Sequence, residues 1–447
     1  MILLKRIVNI IIILLLTNIV IMMNASKFAS TTINVITIVF LAAFFVKYNI
    51  FPIKQKESSI KLKIMINGYE LVANACVIFT LQVLIYLYIF IIHKTALPTL
   101  PSLVVDALVA LALILILLWN GLLRIIATSS QVGIALKILL FFTWWIPILN
   151  VILFWKCCHI VRREYIFEIS KIELNNQRRE SEICKTKYPI LLVHGIFWRD
   201  WQLFNYWGRI PRELMKNGAT IYYGNQHSAT SMEICANELK EQILKIIEKE
   251  KCDKVNIIAH SKGGLDARYA ISCLGIDNHV ASLTTIGTPH KGCKLVDNLL
   301  EKFPDKFVLA LAKKYNSAYL RLGDKTPDFY TGIHDLTTSK CAEFNERVPN
   351  KEGIVYQSIT STMSSMFSAG FPLNIGYALT KRNEGENDGF VSVYSSKHGD
   401  YLGCYSTKRN RGVSHGDMID LMRENIHGFD VCEFYVDIVK GLKSKGL

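Results

Sequence analysis

Residues 254–270 read KVNIIAHSKGGLDARYA, where a run rich in β-branched residues ends at Ala259 and Ser261 stands between His260 and Lys262 before a helical pattern resumes. A serine at a strand-to-helix corner needs small residues two places before and two places after it. The incoming strand and outgoing helix nearly touch there, and the serine is held in a strained backbone conformation. Ala259 and Gly263 meet that need, with alanine where glycine is usual at the first position. The chemistry such a corner serves is nucleophilic attack by the Ser261 hydroxyl.

A hydroxyl is a poor nucleophile until a histidine takes its proton, and the imidazolium so formed needs a carboxylate to orient and stabilise it. On a parallel sheet with a corner of this kind, the chain order is serine, acid, histidine. Asp388 in Asn387-Asp388-Gly389 and His415 in Val413-Ser414-His415-Gly416-Asp417 follow Ser261 in that order. His398, ten residues after Asp388, is the rival base; His415 is preferred because Gly412 to Gly416 forms a loop leading into a helical segment. Asn-Asp-Gly also reads as a plain turn. A tetrahedral oxyanion requires two preorganised donors. The Lys262 N–H at the start of the following helix is one candidate, and the Ile196 N–H in the turn His194-Gly195-Ile196 is the other. His194 itself reads as structural.

These groups need a scaffold. From Tyr188 onward, short β-rich runs alternate with helical periods, the pattern of a mostly parallel sheet covered on both faces. Ile190–Val193, Ala219–Tyr223, Lys254–Ala259, Val280–Gly287 and Gly353–Ser361 are the expected strands. A helix with Met232, Cys235, Leu239, Ile243 and Ile246 on one face follows the second, and another runs from the serine to about Cys273. Such a sheet binds its ligand at the carboxyl ends of its strands.

The first third is different in kind. Ile7–Met23, Thr32–Val46, Leu71–Ile92, Leu103–Leu123 and Ile138–Trp155 are apolar stretches with charges confined to the gaps, each near the ~20 residues a membrane-crossing helix needs. The net charge of +14 lies largely beside them, with Lys47, Lys54, Lys56, Lys61 and Lys63 in one short region. That placement suits anionic headgroups and not a duplex groove, so a nucleic-acid partner is excluded. Lys5, Arg6, the loop after the second stretch and Arg124 make one face richer in positive charge than the face with Lys27, Lys94, Lys156, Arg162 and Arg163. The positive-inside bias therefore favours an internal amino terminus and an extracytoplasmic carboxy-terminal domain. Met1–Met23 also reads as a long signal sequence with Asn24-Ala25-Ser26 as its cleavage region. Asn74, Gln82, Asp106 and Asn120 inside the stretches are read as helix-to-helix hydrogen bonders or interfacial groups. Eleven cysteines, an odd number without CxxC or zinc-like spacing, leave the redox compartment open and read mainly as small buried apolar residues.

Six collinear motifs carry a resemblance. They are Tyr-Pro-Ile-Leu-Leu-Val-His-Gly (188–195), the Ala-His-Ser-Lys-Gly-Gly corner, Ile-Gly-Thr-Pro-His-Lys-Gly (286–292), Leu-Thr-Thr-Ser (336–339) with Phe-Asn (344–345), Asn-Asp-Gly (387–389) and His-Gly-Asp (415–417). In unbroken order over nearly all of Tyr188–Asp420, the chain resembles the bacterial triacylglycerol lipases of the α/β-hydrolase superfamily. The resemblance implies an α/β-hydrolase fold behind a helical transmembrane region. It implies Ser261 as nucleophile, Asp388 as acid, His415 as base, and Ile196 and Lys262 as oxyanion donors. Three departures stand out. The apolar first third has no counterpart in those secreted lipases. They often bind a calcium ion that steadies the histidine loop. Asp417 fits one ligand position, but Met363–Thr380 holds no acidic residue for a second, which leaves only Glu384 or Glu386 and an incomplete ligand set; no cofactor is required. Lys262 also replaces a more usual uncharged neighbour, a change of little consequence where only its N–H is used.

The expected organisation is a transmembrane helical region over 1–155 with about five spans, a juxtamembrane linker over 156–187, and a hydrolase domain over 188–447. Within the last, two amphipathic stretches at about 293–330 carry Val296, Leu299, Leu300 and Phe303, then Phe307, Val308, Leu311 and Tyr315, and read as a lid or a fixed cap. Phe197, Trp198, Trp201, Phe204, Tyr206 and Trp207 line an acyl pocket, meet a membrane interface or pack a long loop. The expected activity is cleavage of lipid carboxylic esters beside the membrane. Acyl transfer or thioester cleavage on the same fold is the alternative, and a non-catalytic membrane docking protein is the reading from a different class.

Overall fold

The computed structural model describes residues 2–25, 31–52, 59–92, 99–143, 146–196, 205–227, 229–321, 324, 326–407 and 411–447. The chain divides into two compact units, Met1–Glu173 and Leu174–Leu447.

The first unit is helical: α1 (Ile2–Thr17), α2 (Ile19–Ala25), α3 (Thr31–Ile50), α4 (Ile60–Ile92), α5 (Leu100–Thr128), α6 (Ile134–Phe142) and α7 (Pro147–Arg178), the last running past the unit's end. Among the described residues, three helices are long and apolar enough to cross a membrane: Thr31–Ile50, Ile60–Ile91 and Leu100–Thr128. The other two of the five apolar stretches fall on helices outside this set. The first apolar stretch is divided between α1 and α2, and the fifth between α6 and α7. In α7 the apolar run also gives way after Trp155 to Lys156, Arg162 and Arg163, which dilutes any window of spanning length. The polar residues inside the stretches join helices, as their isolation among apolar neighbours implied. Gln82 meets Thr17 and Asn18, each at 2.9 Å, Asn74 bonds Tyr48, and Asp106 accepts from the Val20 and Ile21 amides and from the Tyr86 hydroxyl. Asn120 donates to the Asn49 carbonyl at 3.0 Å.

The second unit is built on six parallel strands in the order β2-β1-β3-β4-β5-β6: β1 (Ile190–Val193), β2 (Ile221–Tyr223), β3 (Val255–His260), β4 (Val280–Ile286), β5 (Val355–Ser361) and β6 (Asp400–Tyr405). The two-residue period of a strand explains how one sheet feeds two cores. Ile190, Leu192, Ile258, Ile286 and Ile359 point to one side, where α8 (Ile210–Lys216) and the helix Val431–Ser444 pack. Leu191, Val193, Ile257, Ala259 and Leu283 point to the other, under α9 (Met232–Glu250) and α10 (Gly263–Cys273). The predicted apolar face of α9 is fully inward: Met232, Cys235, Leu239, Ile243 and Ile246 are all buried. Ser231 caps this helix by accepting from the Ile234 amide.

Strand β6 was not foreseen. It lies at the sheet's edge, its residues are mostly exposed, and Gly403 takes a positive φ, so the alternation that marks a strand is missing. Between β4 and β5 come α11 (Lys294–Lys302), α12 (Asp305–Arg321), α13 (Phe329–His334) and α14 (Thr338–Arg347), so the expected cap region is helical. Leu295, Val296, Ala312 and Tyr319 anchor α11 and α12 inward, whereas Leu299, Phe303, Phe307 and Leu311 are exposed. The short helices α15 (Leu373–Glu384) and α16 (Val393–Ser396) precede β6. The stretch 156–187, expected as a stalk, is helical as far as Arg178. There the Arg178 guanidinium forks onto both oxygens of Glu433 at 2.6 and 2.8 Å.

Candidate active site

Ser261 sits directly after β3 with φ +56°, in the left-handed region that L side chains rarely adopt. The corner is locked from both sides: the Ser261 N–H donates to the Ile286 carbonyl at 3.0 Å, and the Thr288 hydroxyl donates to the Ser261 carbonyl at 2.8 Å. At Gly263 a Cβ would lie 2.4 Å from the His194 carbonyl oxygen, which is why that position must be glycine. The rule that placed small residues around the serine is thus met by a real close approach. Ser261 is 8% exposed.

The turn after β1 comes just as close. A Cβ on Gly195 would lie 2.7 Å from the Ser261 Cβ, so the turn carrying Ile196 lies against the Ser261 side chain. Among the described residues, neither the Ile196 N–H nor the Lys262 N–H has a hydrogen-bond acceptor. Two amide donors left open beside a bent serine are what an oxyanion needs. His194 is structural: its Nδ1 meets the Gly195 carbonyl at 2.8 Å and its Nε2 the Gln226 carbonyl at 3.0 Å.

Asp388 and His415, 27 residues apart, meet directly. The His415 Nδ1–H donates to Asp388 Oδ2 at 2.7 Å, and the His415 backbone N–H donates to the Asp388 carbonyl at 2.8 Å. The other carboxylate oxygen, Oδ1, accepts from the Phe390 and Val391 amides at 3.0 and 2.8 Å, so the buried charge is fully hydrogen-bonded. Asn387-Asp388-Gly389 is a turn, and the amides of the two residues that follow it, Phe390 and Val391, hold the carboxylate. Gly287, at the end of β4, lies beneath this pair. A Cβ there would come within 3.1 Å of Asp388 Oδ2 and 3.2 Å of His415 Nδ1. The His415 ring stands 4.3 Å from the ring of His260, the residue before the serine, and packs edge-on against Phe390.

His398 is placed elsewhere. Its Nε2 meets the Asn350 side-chain oxygen at 2.9 Å and its ring stacks on His290. Burial, and then the Arg268 charge, pull it down to about 4.

Three features of the site had no reading in the sequence. Tyr206 belongs to the aromatic segment taken for pocket lining or packing, but its hydroxyl accepts the Gly195 N–H at 3.0 Å and meets His260 Nδ1 at 2.7 Å, tying the Gly195–Ile196 turn to the serine corner. Trp207 is buried beside it, while Phe197, Trp198, Trp201 and Phe204 lie outside the described residues. His260 is wholly enclosed, so burial and then the neighbouring His415 hold it well below the usual imidazole range, and it stays neutral. Lys262 contributes more than an amide. Its ammonium turns inward to Asp266 at 2.6 Å and Cys235 Sγ at 3.5 Å. Burial works against that charge, but Asp266 outweighs it and raises the lysine above its usual range; burial also lifts the Asp266 carboxyl to about 6 against the pull of Lys262. The i, i+4 spacing of Lys262 and Asp266 was the available signal.

Calcium does not fit at Asp417. Oδ1 accepts from Arg411 Nη2 at 3.0 Å; Oδ2 accepts from Arg411 Nη1 at 3.1 Å and from the Ser414 amide and hydroxyl at 2.8 and 2.7 Å. A bound guanidinium already takes the position that a cation would claim.

Residues 189–345 match the palmitoyl protein thioesterase family. Triacylglycerol lipase 2 of Saccharomyces cerevisiae is 30% identical over 257 residues, covering 54% of this chain and 74% of that protein. A triacylglycerol lipase of Pseudomonas fragi is 27% identical over 294 residues, covering 59% of this chain and 98% of its own length. The crystal structure of Staphylococcus hyicus lipase is similar at 19% identity and a TM-score of 0.48, covering 58% of this chain and 97% of that one. With a parallel sheet that carries a strained serine corner after its third strand in sequence, and a lipase relative matched over most of its length, this chain belongs to the triacylglycerol lipase family of α/β-hydrolases and is a carboxylic ester hydrolase.

Proposed function

We propose that the chain is a membrane-anchored lipase that cleaves lipid carboxylic esters through an acyl-enzyme on Ser261. The observation that carries this reading is the Asp388–His415 pair lying against Gly287, with the strained Ser261 corner beside two open amides. Donation from His415 Nδ1 to Asp388 fixes the tautomer whose Nε2 bears a lone pair. That nitrogen takes the Ser261 proton as Oγ attacks the ester carbonyl. The oxyanion turns to the Ile196 and Lys262 amides, and His415 returns the proton to the departing alcohol. Water repeats the sequence on the acyl-enzyme and releases the acid. Asp388 steadies the imidazolium throughout.

The relatives named triacylglycerol lipase support a lipid ester as substrate. The apolar helices α3, α4 and α5 support a chain held in the bilayer, with membrane lipids as its surroundings, and the distribution of Lys and Arg supports an extracytoplasmic catalytic unit. Tethering of this kind raises the effective concentration of a lipid substrate without any new contact. Among the described cap residues, exposed Leu299, Phe303, Phe307 and Leu311 offer an apolar face to acyl chains.

A second reading is thioester cleavage, favoured by the match to palmitoyl protein thioesterases over 189–345. The same acyl-enzyme serves both. Purified full-length protein in lipid nanodiscs, given glycerol esters and palmitoyl thioesters of equal chain length, separates them by kcat/KM. Ester preference of tenfold or more supports the lipase. The reverse preference replaces it with a thioesterase, and transfer to an added lipid alcohol outpacing hydrolysis replaces it with an acyltransferase.

A further inference from the structure

His415 lies in a loop whose geometry is set from outside the catalytic pair. Its own amide is tied to the Asp388 carbonyl, but the turn that carries it, Ser414 to Asp417, is closed by the Asp417 carboxylate taking the Ser414 amide and hydroxyl. That carboxylate is in turn gripped by both terminal nitrogens of Arg411. The guanidinium also donates to the Ser368 carbonyl at 2.7 Å and to Glu424 at 2.8 Å. Four oxygens from three segments therefore converge on one cation: two from Asp417, one main-chain carbonyl and one from Glu424. An all-oxygen set of two carboxylates and a carbonyl is the donor chemistry of a hard divalent ion. Here a planar, permanently charged fork, which matches a carboxylate edge-on with two parallel bonds, fills the place. The main chain at Arg411 is itself fixed, since its carbonyl accepts the Ser364 amide at 3.0 Å and the next residue, Gly412, donates to Thr407 Oγ1 at 3.1 Å.

We propose that Arg411 is the positioning residue of the catalytic histidine, its guanidinium standing where a metal ion would otherwise clamp the His415 loop, so that the hydrolase works without calcium. The proposal rests on the reading of His415 as the base. Without the guanidinium, Asp417 and Glu424 face each other unpaired, the Ser414–Asp417 turn loosens, and the imidazole drifts from its attack geometry. Misplacement on the scale of 1 Å costs about 100-fold in rate. Because Arg411 is two bonds of influence away from the substrate, through Asp417 and the turn, the loss falls on kcat and leaves KM near its original value.

The test uses the full-length protein in nanodiscs with a soluble short-chain ester, comparing Arg411→Ala, Arg411→Lys and His415→Asn. Expected are wild-type rates unchanged by EGTA or by added calcium, a kcat for Arg411→Ala lower by about 100-fold at similar KM, and partial recovery of that kcat with millimolar guanidinium chloride. Arg411→Lys keeps the charge but not the fork, and falls between the two; it also carries the test if Arg411→Ala does not fold. Loss of wild-type activity in EGTA with recovery in calcium overturns the proposal, as does an Arg411→Ala rate equal to wild type, or a loss that guanidinium leaves untouched in a folded variant. His415→Asn separates the two layers. An active His415→Asn removes the base assignment itself, whereas an inactive one beside a fully active Arg411→Ala removes only the role of Arg411.

Discussion

Asp388 holds His415 twice, once by its carboxylate on the ring Nδ1 at 2.7 Å and once by its carbonyl on the histidine amide at 2.8 Å. The second bond places the histidine main chain, and the first selects the tautomer. Asp388→Asn keeps the backbone bond and the size of the side chain but replaces a charged acceptor with an amide, which favours the wrong tautomer. The expected result is a fall in kcat of about 1,000 to 10,000-fold with the fold intact. Steady-state kinetics beside a circular-dichroism melt measures it. An Asp388→Asn variant within tenfold of wild type removes the carboxylate from the mechanism.

Gly195 allows the turn that carries Ile196 to touch the Ser261 side chain. Gly195→Ala puts a methyl 2.7 Å from the Ser261 Cβ, and the turn has to retreat, taking the Ile196 amide with it. Loss of one such donor costs about 100 to 1,000-fold in kcat, and Gly195→Ala is expected to reach at least the lower figure. Rates near wild type would mean that this turn supplies no donor.

Lys262 and Asp266 form an ion pair with both side chains almost wholly enclosed. Lys262→Met leaves Asp266 buried without its partner, a situation that costs about 3–5 kcal/mol. Lys262→Met with Asp266→Leu together removes both charges and is expected to recover most of that loss. Denaturant unfolding of the single and double variants reads the difference. A single variant as stable as wild type shows that the pair contributes nothing.

Acid weakens this fold through imidazoles that burial keeps neutral. His260 and His290 are held well below their usual range by burial and then by a neighbouring histidine, and His398 is brought down to about 4 by burial and then by Arg268. The unfolded chain takes up protons at these positions near pH 6.5, where the folded chain does not. Unfolded protein then binds more protons than native, so stability rises with pH across the window from about 4 to 6.5 and falls on acidification through it. Thermal melts at pH 7, 6 and 5 are expected to show a steady decline. His398→Phe retains a ring against His290 and is expected to flatten the slope; an unchanged slope would assign the acid sensitivity to other groups.

The sequence made some of this architecture readable and hid the rest for physical reasons. Strands β1, β3, β4 and β5 were legible because they are almost wholly buried runs rich in aliphatic and β-branched residues, whereas exposed β6 carries no such mark. Ser261, Asp388 and His415 were singled out by residue type, local turn chemistry and chain order, and the last two lie in hydrogen-bond contact. Arg411 escaped, because nothing in an isolated arginine announces a bidentate partner six residues on and a carbonyl 43 residues back. The role of Tyr206 was hidden in a segment where aromatic bulk suggested packing, and only its hydroxyl reveals the link between Gly195 and His260. In the first unit, hydropathy alone marked five stretches. It could not see that two of them are each divided between two helices.

The central claim is that the Ser261 hydroxyl is the group acylated during turnover. Incubating the full-length protein with a fluorophosphonate and mapping the adduct by peptide mass spectrometry tests it most directly. The account predicts one stoichiometric adduct on Ser261, abolished in Ser261→Ala together with ester cleavage. An adduct on another residue, or ester hydrolysis persisting in Ser261→Ala, would contradict it.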